Sequence, residues 1–301
     1  MRGLLDIASL TREEIEVILR RAKEYQTRQA AGERKSDLLR GKMLVNLFFE
    51  SSTRTRTSFE IAAKRLGADT ISITAAGSSV SKGESLVDTL NTLVAMRPDA
   101  IVMRHSASGA PQFLARHLAI PIINAGDGQH EHPTQGLLDA LTILDHRPDL
   151  KGLRVAIIGD IAHSRVARSN LHLLSKFGAH VILCGPPTLV PREMTRLAPN
   201  VSITNDMSEA VRGADVIMML RVQLERQFET PFPPGEYFRY YGLRQEHVNL
   251  AGPDVIVMHP GPINRGRELS SEVADSQRSV ILNQVENGVA VRMAVLEQVL
   301  Q

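Results

Sequence analysis

Short apolar runs alternate with segments of helical spacing along almost the whole chain, in two successive series. Met43–Phe49, Asp69–Thr74, Ala100–Met103 and Pro121–Asn124 form the first series, and Leu153–Ile158, His180–Cys184, Asp215–Leu220 and Asp254–Met258 the second. Each run is too short for an ordinary helix, and their interiors are almost free of charge, as in strands buried on both faces. Parallel strands need crossovers, which the segments Phe59 to Leu66, Ser85 to Met96, Ala110 to His117 and Ser164 to Phe177 supply. The expectation is an α/β fold: two parallel-sheet α/β domains linked by helices, with the active site in the interdomain cleft. A length of 301 residues suffices for two cores. The domains are expected at 1–134, completed by a C-terminal helix at 285–301, and at 135–284.

Thr11-Arg12-Glu13-Glu14 has the form of a capping box and opens a helix expected to reach about residue 30. A helix is also expected at about Glu193 to Leu197, and another from about Ser276 to Leu300, although Gly288 costs the latter ~1 kcal/mol against Ala. Residues 224–242, with Phe232-Pro233-Pro234-Gly235 and three tyrosines, fit neither period and read as a mobile loop.

Chemistry concentrates where the first apolar run ends, in Phe48-Phe49-Glu50-Ser51-Ser52-Thr53-Arg54-Thr55-Arg56-Thr57-Ser58-Phe59-Glu60. Read as strand, loop and helix, this stretch places hydroxyls and arginines at a helix N-terminus. There, unpaired N–H groups and the helix dipole favour an anion by ~0.3–1 kcal/mol even when exposed. Capping accounts for one Ser or Thr, but arginines in a first turn oppose the dipole unless something negative sits beside them. A phosphate fits, with Ser52, Thr53 and Thr55 as donors and Arg54 as a two-pronged grip. The glycines and the Gly-Lys-Ser/Thr ending of a P-loop are missing.

Other runs also end in polar groups: Arg104-His105, His132 with Gln135, Arg165, and Arg221 with Gln223. Ligands of open α/β sheets bind at the carboxyl ends of strands, so these tips outline a cleft built for one phosphorylated and one acidic substrate. Gly159-Asp160 tempts a dinucleotide reading, yet only one of three required glycines is present. His130 and His132 lack the spacing of a zinc helix, and the single cysteine, Cys184, leaves no cysteine-rich site and no intramolecular disulfide. No metal or cofactor is expected. A net charge of +2 and 4% aromatics disfavour nucleic acid. The chain has no secretory-type apolar segment and no run near ~18 apolar residues, so a cytoplasmic protein without membrane contact is expected.

Phe49-Glu50-x-Ser52-Thr53-Arg54-Thr55-Arg56-x-Ser58-Phe59-Glu60 resembles the signature of the aspartate and ornithine carbamoyltransferases. Ser79 with Lys82-Gly83-Glu84, Met103-Arg104-His105, His132-Pro133-Thr134-Gln135, Arg221-Val222-Gln223 and His259-Pro260 follow in the family's order, so the similarity runs through the whole chain. Ornithine enzymes are expected to carry His-Cys-Leu-Pro near the end, whereas this chain has His259-Pro260-Gly261-Pro262, which implies aspartate as acceptor. The resemblance implies that carbamoyl phosphate is held by Ser52, Thr53, Arg54, Thr55, Arg104, His132 and Gln135, with Ser79, or Ser78 if the loop aligns one residue earlier. L-Aspartate would be held by Lys82, Arg165, Arg221, Gln223, Gly261 and Pro262, with Thr55, Arg104, His132 and Lys82 as the catalytic groups. It further implies a homotrimer whose Ser79 and Lys82 loop serves a neighbouring subunit's site. Higher assembly with regulatory chains or with dihydroorotase stays open, as do another amine acceptor such as ornithine and an inactive homologue.

Overall fold

The computed structural model describes residues 1–74, 85–223 and 234–301. The chain divides into two compact units, Met1–Leu141 with Glu286–Gln301, and Thr142–Val285. In chain order the first unit begins with β1 (Gly3–Leu4), α1 (Arg12–Ala30), β2 (Met43–Phe48), α2 (Thr53–Arg65), β3 (Asp69–Thr74) and α3 (Leu86–Ala95). It continues with β4 (Ala100–His105), α4 (Ala110–His117), β5 (Ile122–Asp127) and α5 (Pro133–His146). The second unit holds β6 (Arg154–Ile158), α6 (Arg165–Lys176), β7 (His180–Cys184), β8 (Val201–Thr204), α7 (Met207–Val211) and β9 (Val216–Met219). It closes with α8 (Pro234–Tyr241), α9 (Gln245–Val248), β10 (Ile256–Met258) and α10 (Ser271–Ala274), and α11 (Ile281–Leu300) then starts in the second unit and returns the chain to the first. The divisions fall inside α5 and α11, so both units are joined by continuous helix.

Each unit carries a five-stranded, wholly parallel sheet, ordered β1-β5-β4-β2-β3 in the first and β10-β9-β6-β7-β8 in the second. Alternation along the strands supplies the cores. Val45, Leu47, Ile101, Met103 and Ile122 lie on one face of the first sheet with Leu90 of α3 and Leu114 of α4. Ala156, Ile158, Ile182, Cys184, Ile217, Met219 and Val257 do the same in the second, against Ala210, Tyr237 and Val248. Each buried Val, Leu, Ile or Met contributes ~1.5–3 kcal/mol, which ties these helices to their sheets.

The two sheets share one connection pattern. In the first, β2 leads to β3 on one side while β4, hydrogen-bonded beside β2, leads to β5 on the other. In the second, β6 leads to β7 on one side and its neighbour β9 to β10 on the other. Where neighbouring strands send their chains apart, the loops leave a crevice at the carboxyl ends, the usual ligand position in open α/β sheets.

Several elements depart from the sequence-based expectation. Residues 234–241, expected within a mobile loop, form α8. Tyr237 and Tyr241, four apart, are buried on one helical face with ring centroids 5.9 Å apart. The helix expected near Glu193 is a short 3-10 turn, Arg192–Arg196. The last helix starts at Ile281 because Ser279 bridges to Val257 and the N–H of Val280 donates to the Val257 carbonyl at 3.0 Å, which ties those residues to β10. Strands β1 and β8 gave no apolar signal: one has two residues, and the other is a half-exposed edge.

Candidate active site

The loop after β2 enters α2 through Ser52, which is extended (φ −161°, ψ 92°) and makes no side-chain capping bond. The N-cap residues of α1, α3, α6, α7 and α10 all cap with their own side chains. The ladder of α2 starts where the N–H of Arg56 donates to the Ser52 carbonyl at 3.3 Å, which leaves the preceding N–H groups outside it. Its first turn holds no acidic residue, and Thr53 and Arg54 are exposed while Thr55 is buried. Arg56 pairs instead with Glu60 on the same helix, at 3.7 Å.

Arg104, the last residue but one of β4, stands directly opposite Phe48, and its backbone carbonyl accepts from the Phe49 N–H at 2.9 Å. Its side chain, 14% exposed, spans the crevice between the two strand ends: Nε lies 3.2 Å from Glu50 Oε2, and Nη1 donates to the Ala125 carbonyl at 3.2 Å. Next to it, His105 packs edge-on against Phe49 with centroids 5.1 Å apart, and its Nδ1 accepts from the Ala107 N–H at 2.9 Å. Burial holds this imidazole below its ordinary pKa, opposed by Glu50. It is therefore a neutral ring at physiological pH.

After β5 the chain turns back on itself, with the Asp127 N–H donating to the Glu131 carbonyl at 3.1 Å. The carbonyl of His132 accepts from Gln135 and Gly136, which puts buried His132 at the mouth of α5, and Pro133 opens the helix. Gln135, also buried, donates Nε2 to Asp139 Oδ1 at 2.8 Å one turn later. A carboxylate only accepts, so the amide nitrogen faces Asp139 and Oε1 is turned the other way.

Beneath this turn lies a polar support that periodicity could not reveal. Asp127, fully buried, accepts from the Gly109 N–H at 2.6 Å, Asn124 Nδ2 at 2.7 Å and the Glu131 N–H at 3.2 Å. The carboxylate of Glu131, equally buried, accepts from the N–H groups of Ile7 and Ala8 at 2.9 and 3.1 Å and so pins the N-terminal strand to β5. Gly128 has φ +44°, and a Cβ there would fall 2.6 Å from the Ser108 nitrogen. The one foreshadowing in the sequence is a cluster of polar residues where the pattern predicts a connecting turn.

In the second unit, Gly159 follows β6 with φ +140°, and a Cβ would stand 2.8 Å from the Leu220 carbonyl. This glycine lets the ends of β6 and β9 approach; it is not part of a dinucleotide turn. Asp160, fully buried, joins the two tips: Oδ1 faces His163 Nδ1 at 2.8 Å, and Oδ2 accepts from the Gln223 N–H at 3.2 Å. Ser164 caps α6 through the Ala167 N–H, placing buried Arg165 in the first turn. Behind Arg221-Val222-Gln223 stands Glu268, whose carboxylate accepts from the Val222 N–H at 3.3 Å and from Asn264 twice. Its burial raises its pKa. Beyond β10, the His259 N–H donates to Gln284 Oε1 at 2.9 Å, and the Gly261 N–H donates to His259 Nδ1 at 2.8 Å. Gly261 has φ +66°, and the peptide to Pro262 is cis.

Ser52, Thr53, Arg54, Thr55, Arg104, His132 and Gln135 thus gather at the carboxyl ends of β2, β4 and β5 in one unit. Arg165, Arg221, Gln223, Gly261 and Pro262 gather at those of β6, β9 and β10 in the other. Ser78, Ser79 and Lys82 lie outside the described residues. Among the described residues no group of three or more His, Cys, Asp or Glu is placed to hold a metal, and no helix is long and apolar enough to cross a membrane. Asp139, Asp160, Glu268 and Gln284 are the supports that sequence reading missed.

Comparison with known proteins separates the two sheets in the same way. Residues 2–145 fit a family model described as the aspartate/ornithine carbamoyltransferase carbamoyl-P binding domain, and residues 151–299 one described as the Asp/Orn binding domain. The chain is 75% identical over 298 residues to an aspartate carbamoyltransferase catalytic subunit of Solibacter usitatus, covering 99% of each. An aspartate transcarbamoylase of Trypanosoma cruzi, solved with carbamoyl aspartate and phosphate, superposes with a TM-score of 0.91 at 32% identity, over 99% of this chain and 96% of that one. An ornithine carbamoyltransferase of Pyrococcus furiosus superposes with a TM-score of 0.90, also at 32% identity, over 98% and 95%. With both halves of the sequence matched in order and the conspicuous arginines at the strand tips of both sheets, the chain belongs to the aspartate/ornithine carbamoyltransferase family.

Proposed function

We propose that this chain transfers the carbamoyl group of carbamoyl phosphate to the α-amine of L-aspartate, giving N-carbamoyl-L-aspartate and phosphate, a step of pyrimidine biosynthesis. The observation that carries the choice of acceptor is the full-length, 75% identity to a catalytic subunit named for aspartate. The residues agree. The turn after β10 offers Gly261 and Pro262 where ornithine enzymes are expected to carry a cysteine, and Cys184 is buried in the core of the second unit with its thiol pushed up to about 12 by burial. A thiol so placed serves no substrate.

In this reading the phosphate lies at the N-terminus of α2, bound by its N–H groups, by Ser52, Thr53 and Thr55, and by Arg54. Ser79, contributed by a neighbouring subunit, completes the pocket. The carbamoyl oxygen faces Thr55, Arg104 and His132, and the carbamoyl amide donates to Gln135 Oε1. Arg165, Arg221, Gln223 and Lys82 hold the two carboxylates of aspartate, with the backbone of Gly261 and Pro262 alongside. The neutral α-amine attacks the carbamoyl carbon, a C–N bond forms, and the carbonyl π electrons move onto oxygen. Thr55, Arg104 and His132 stabilise that charge as fixed donors, each worth ~2.7–4 kcal/mol. Collapse breaks the bond to the phosphate oxygen, and the leaving phosphate is a competent acceptor for the amine proton. Arg104 Nε lies 3.2 Å from the Glu50 carboxylate, so substrate binding exchanges one anionic partner for another. The working unit is a trimer, placed in the cytoplasm.

The test is carbamoyl-aspartate formation by the purified protein, with ornithine as competing acceptor. Carbamoyl-aspartate is expected with no citrulline; citrulline as the main product overturns the assignment.

A further inference from the structure

His259 follows β10 directly and is 1% exposed, and of the motif it opens only Gly261 and Pro262 stand in the proposed site. Two hydrogen bonds fix its place. Its own N–H donates to Oε1 of Gln284, a residue of α11 that is 2% exposed, at 2.9 Å. Its ring Nδ1 accepts from the N–H of Gly261, two residues on, at 2.8 Å. A ring nitrogen that accepts carries no hydrogen, so the neutral imidazole bears its proton on Nε2. The same device closes a tip of the other sheet, where Nδ1 of His105, the last residue of β4, accepts from the Ala107 N–H at 2.9 Å. Gly261 has φ +66°, a conformation that glycine adopts at no steric cost. It is half-buried and Pro262 is exposed, so a ligand can reach the turn. Pro262 has no N–H and that of Gly261 is held by His259, so the backbone of these two residues presents acceptors to a ligand. His259, Gly261, Pro262 and Gln284 all belong to the second unit.

We propose that His259 is a positioning residue for the acceptor amine: its Nδ1 lone pair holds the Gly261 N–H, and the backbone of Gly261 and Pro262 thereby meets the α-amine of aspartate with carbonyl oxygens. The proposal rests on the reading that this backbone lies beside L-aspartate. An amine brings N–H donors, which an acceptor-only backbone orients, whereas a loose N–H at the same place favours a carboxylate. Without the lone pair the Gly261 N–H loses its fixed direction. The amine then loses its guide, while the two carboxylates keep Arg165, Arg221 and Gln223.

The experiment compares His259→Leu with His259→Asn in the full-length enzyme. The readings are kcat/KM for aspartate, KM for carbamoyl phosphate, and inhibition by succinate, which has the carbon chain and both carboxylates of aspartate but no amine. Leu fills a similar volume and accepts nothing, whereas the amide oxygen of Asn reaches the place of Nδ1. His259→Leu is expected to lower kcat/KM for aspartate by about ten- to a hundredfold, the scale of a misplaced reacting group. Succinate inhibition and the carbamoyl phosphate KM should shift by less than about threefold, and His259→Asn should keep kcat/KM within about threefold of wild type. Where His259→Leu does not fold, His259→Gln, whose amide reaches toward the place of Nε2 instead, replaces it in the comparison. Wild-type kinetics in His259→Leu, a His259→Asn protein as impaired as His259→Leu, or succinate inhibition that weakens in parallel with kcat/KM overturns the role given to His259. A wild-type protein that makes no carbamoyl-aspartate, or whose reaction succinate does not inhibit, instead removes the site assignment beneath it.

Discussion

Replacing Gly288 by Ala tests the packing of Arg292 directly, because two physical effects of opposite sign meet there. Gly288 lies inside α11, where helix propensity favours Ala. A Cβ at this position, however, would stand 2.6 Å from Arg292 Nη1, which donates to the Gly288 carbonyl at 3.0 Å, and 3.2 Å from Leu138 Cδ2. Both contacts fall short of ordinary carbon packing, and the guanidinium has Phe59 above it and no solvent to retreat into. Propensity contributes ~0.8–1.0 kcal/mol, against ~1–3 kcal/mol for overpacking and ~1.5–3 kcal/mol for a charged donor pulled off its carbonyl; the net is a loss of roughly 2–5 kcal/mol. Urea unfolding of Gly288→Ala at neutral pH measures it, with Gly235→Ala as control. Gly235 is exposed in the first turn of α8 with nothing within 4 Å of its Cβ, so there Ala should be neutral or stabilising by up to ~1 kcal/mol. If Gly288→Ala is as stable as wild type or more so, Arg292 is free to swing aside and its guanidinium does not demand a glycine at 288.

The other expectations are shorter. Arg104→Ala should lower kcat by about a hundred- to a thousandfold, the cost of one oxyanion donor, with little change in unfolding midpoint; unchanged kcat refutes its role. Arg221→Ala should lower kcat/KM for aspartate by about ten- to a hundredfold through loss of a charged hydrogen bond, and leave the carbamoyl phosphate KM alone. Hydrogen bonding to Asp127 raises the pKa of His130 above its ordinary 6.5, so the folded state holds this proton longer than the unfolded chain. The resulting stability is present in full below pH 6.5 and lost as pH rises through the folded value; unfolding midpoints of wild type minus His130→Gln, measured from about pH 5.5 to 8.5, should decline across that window. Mixing inactive Lys82→Ala with inactive His132→Ala protein should regenerate activity after subunit exchange, and no recovery rejects the shared site.

Periodicity exposed the large features because most strands here are buried on both faces: Ala100 to Met103 and Val155 to Ile158 are apolar without interruption and leave no other reading. It failed where burial is partial. Val201–Thr204 sits at a sheet edge with half-exposed side chains, and a polar edge strand looks like a loop. Pro234–Tyr241 was hidden by its prolines and by tyrosines that read as loop residues, although Tyr237 and Tyr241 are one helical turn apart and both buried. The candidate site groups stood out because hydroxyls and arginines at a helix start violate the usual dipole preference, as Arg54 does. Their supports did not, because a buried acid such as Asp139 or Glu268 reads in sequence as one more surface charge on a helix or loop. Only the three-dimensional neighbours, Gln135 for one and Val222 and Asn264 for the other, make sense of it.

Similarity of fold leaves the acceptor undetermined, since an ornithine enzyme and an aspartate enzyme both superpose on this chain with TM-scores near 0.90 and 32% identity. In the proposed reading, what the two activities share, a phosphate seat and a pocket for growing negative charge, falls to the crevice between β2 and β4, and its parts are backbone N–H groups, hydroxyls and Arg104, none of which depends on the amine. What must differ is confined to the tips after β6, β9 and β10, where a second carboxylate on the acceptor needs a cation and an ammonium group needs an anion or a soft ligand. Arg165 and Arg221 supply cations at two of those tips, and the third supplies backbone at Gly261 and Pro262. Because Asp160 and Glu268 are already bound to backbone N–H groups of the β9 tip, their negative charge is committed to shaping that tip and not to receiving an ammonium. On the proposed assignment the discrimination comes from arginines set on a hydrogen-bonded frame, and changing the acceptor should require rebuilding the frame as well as the arginines.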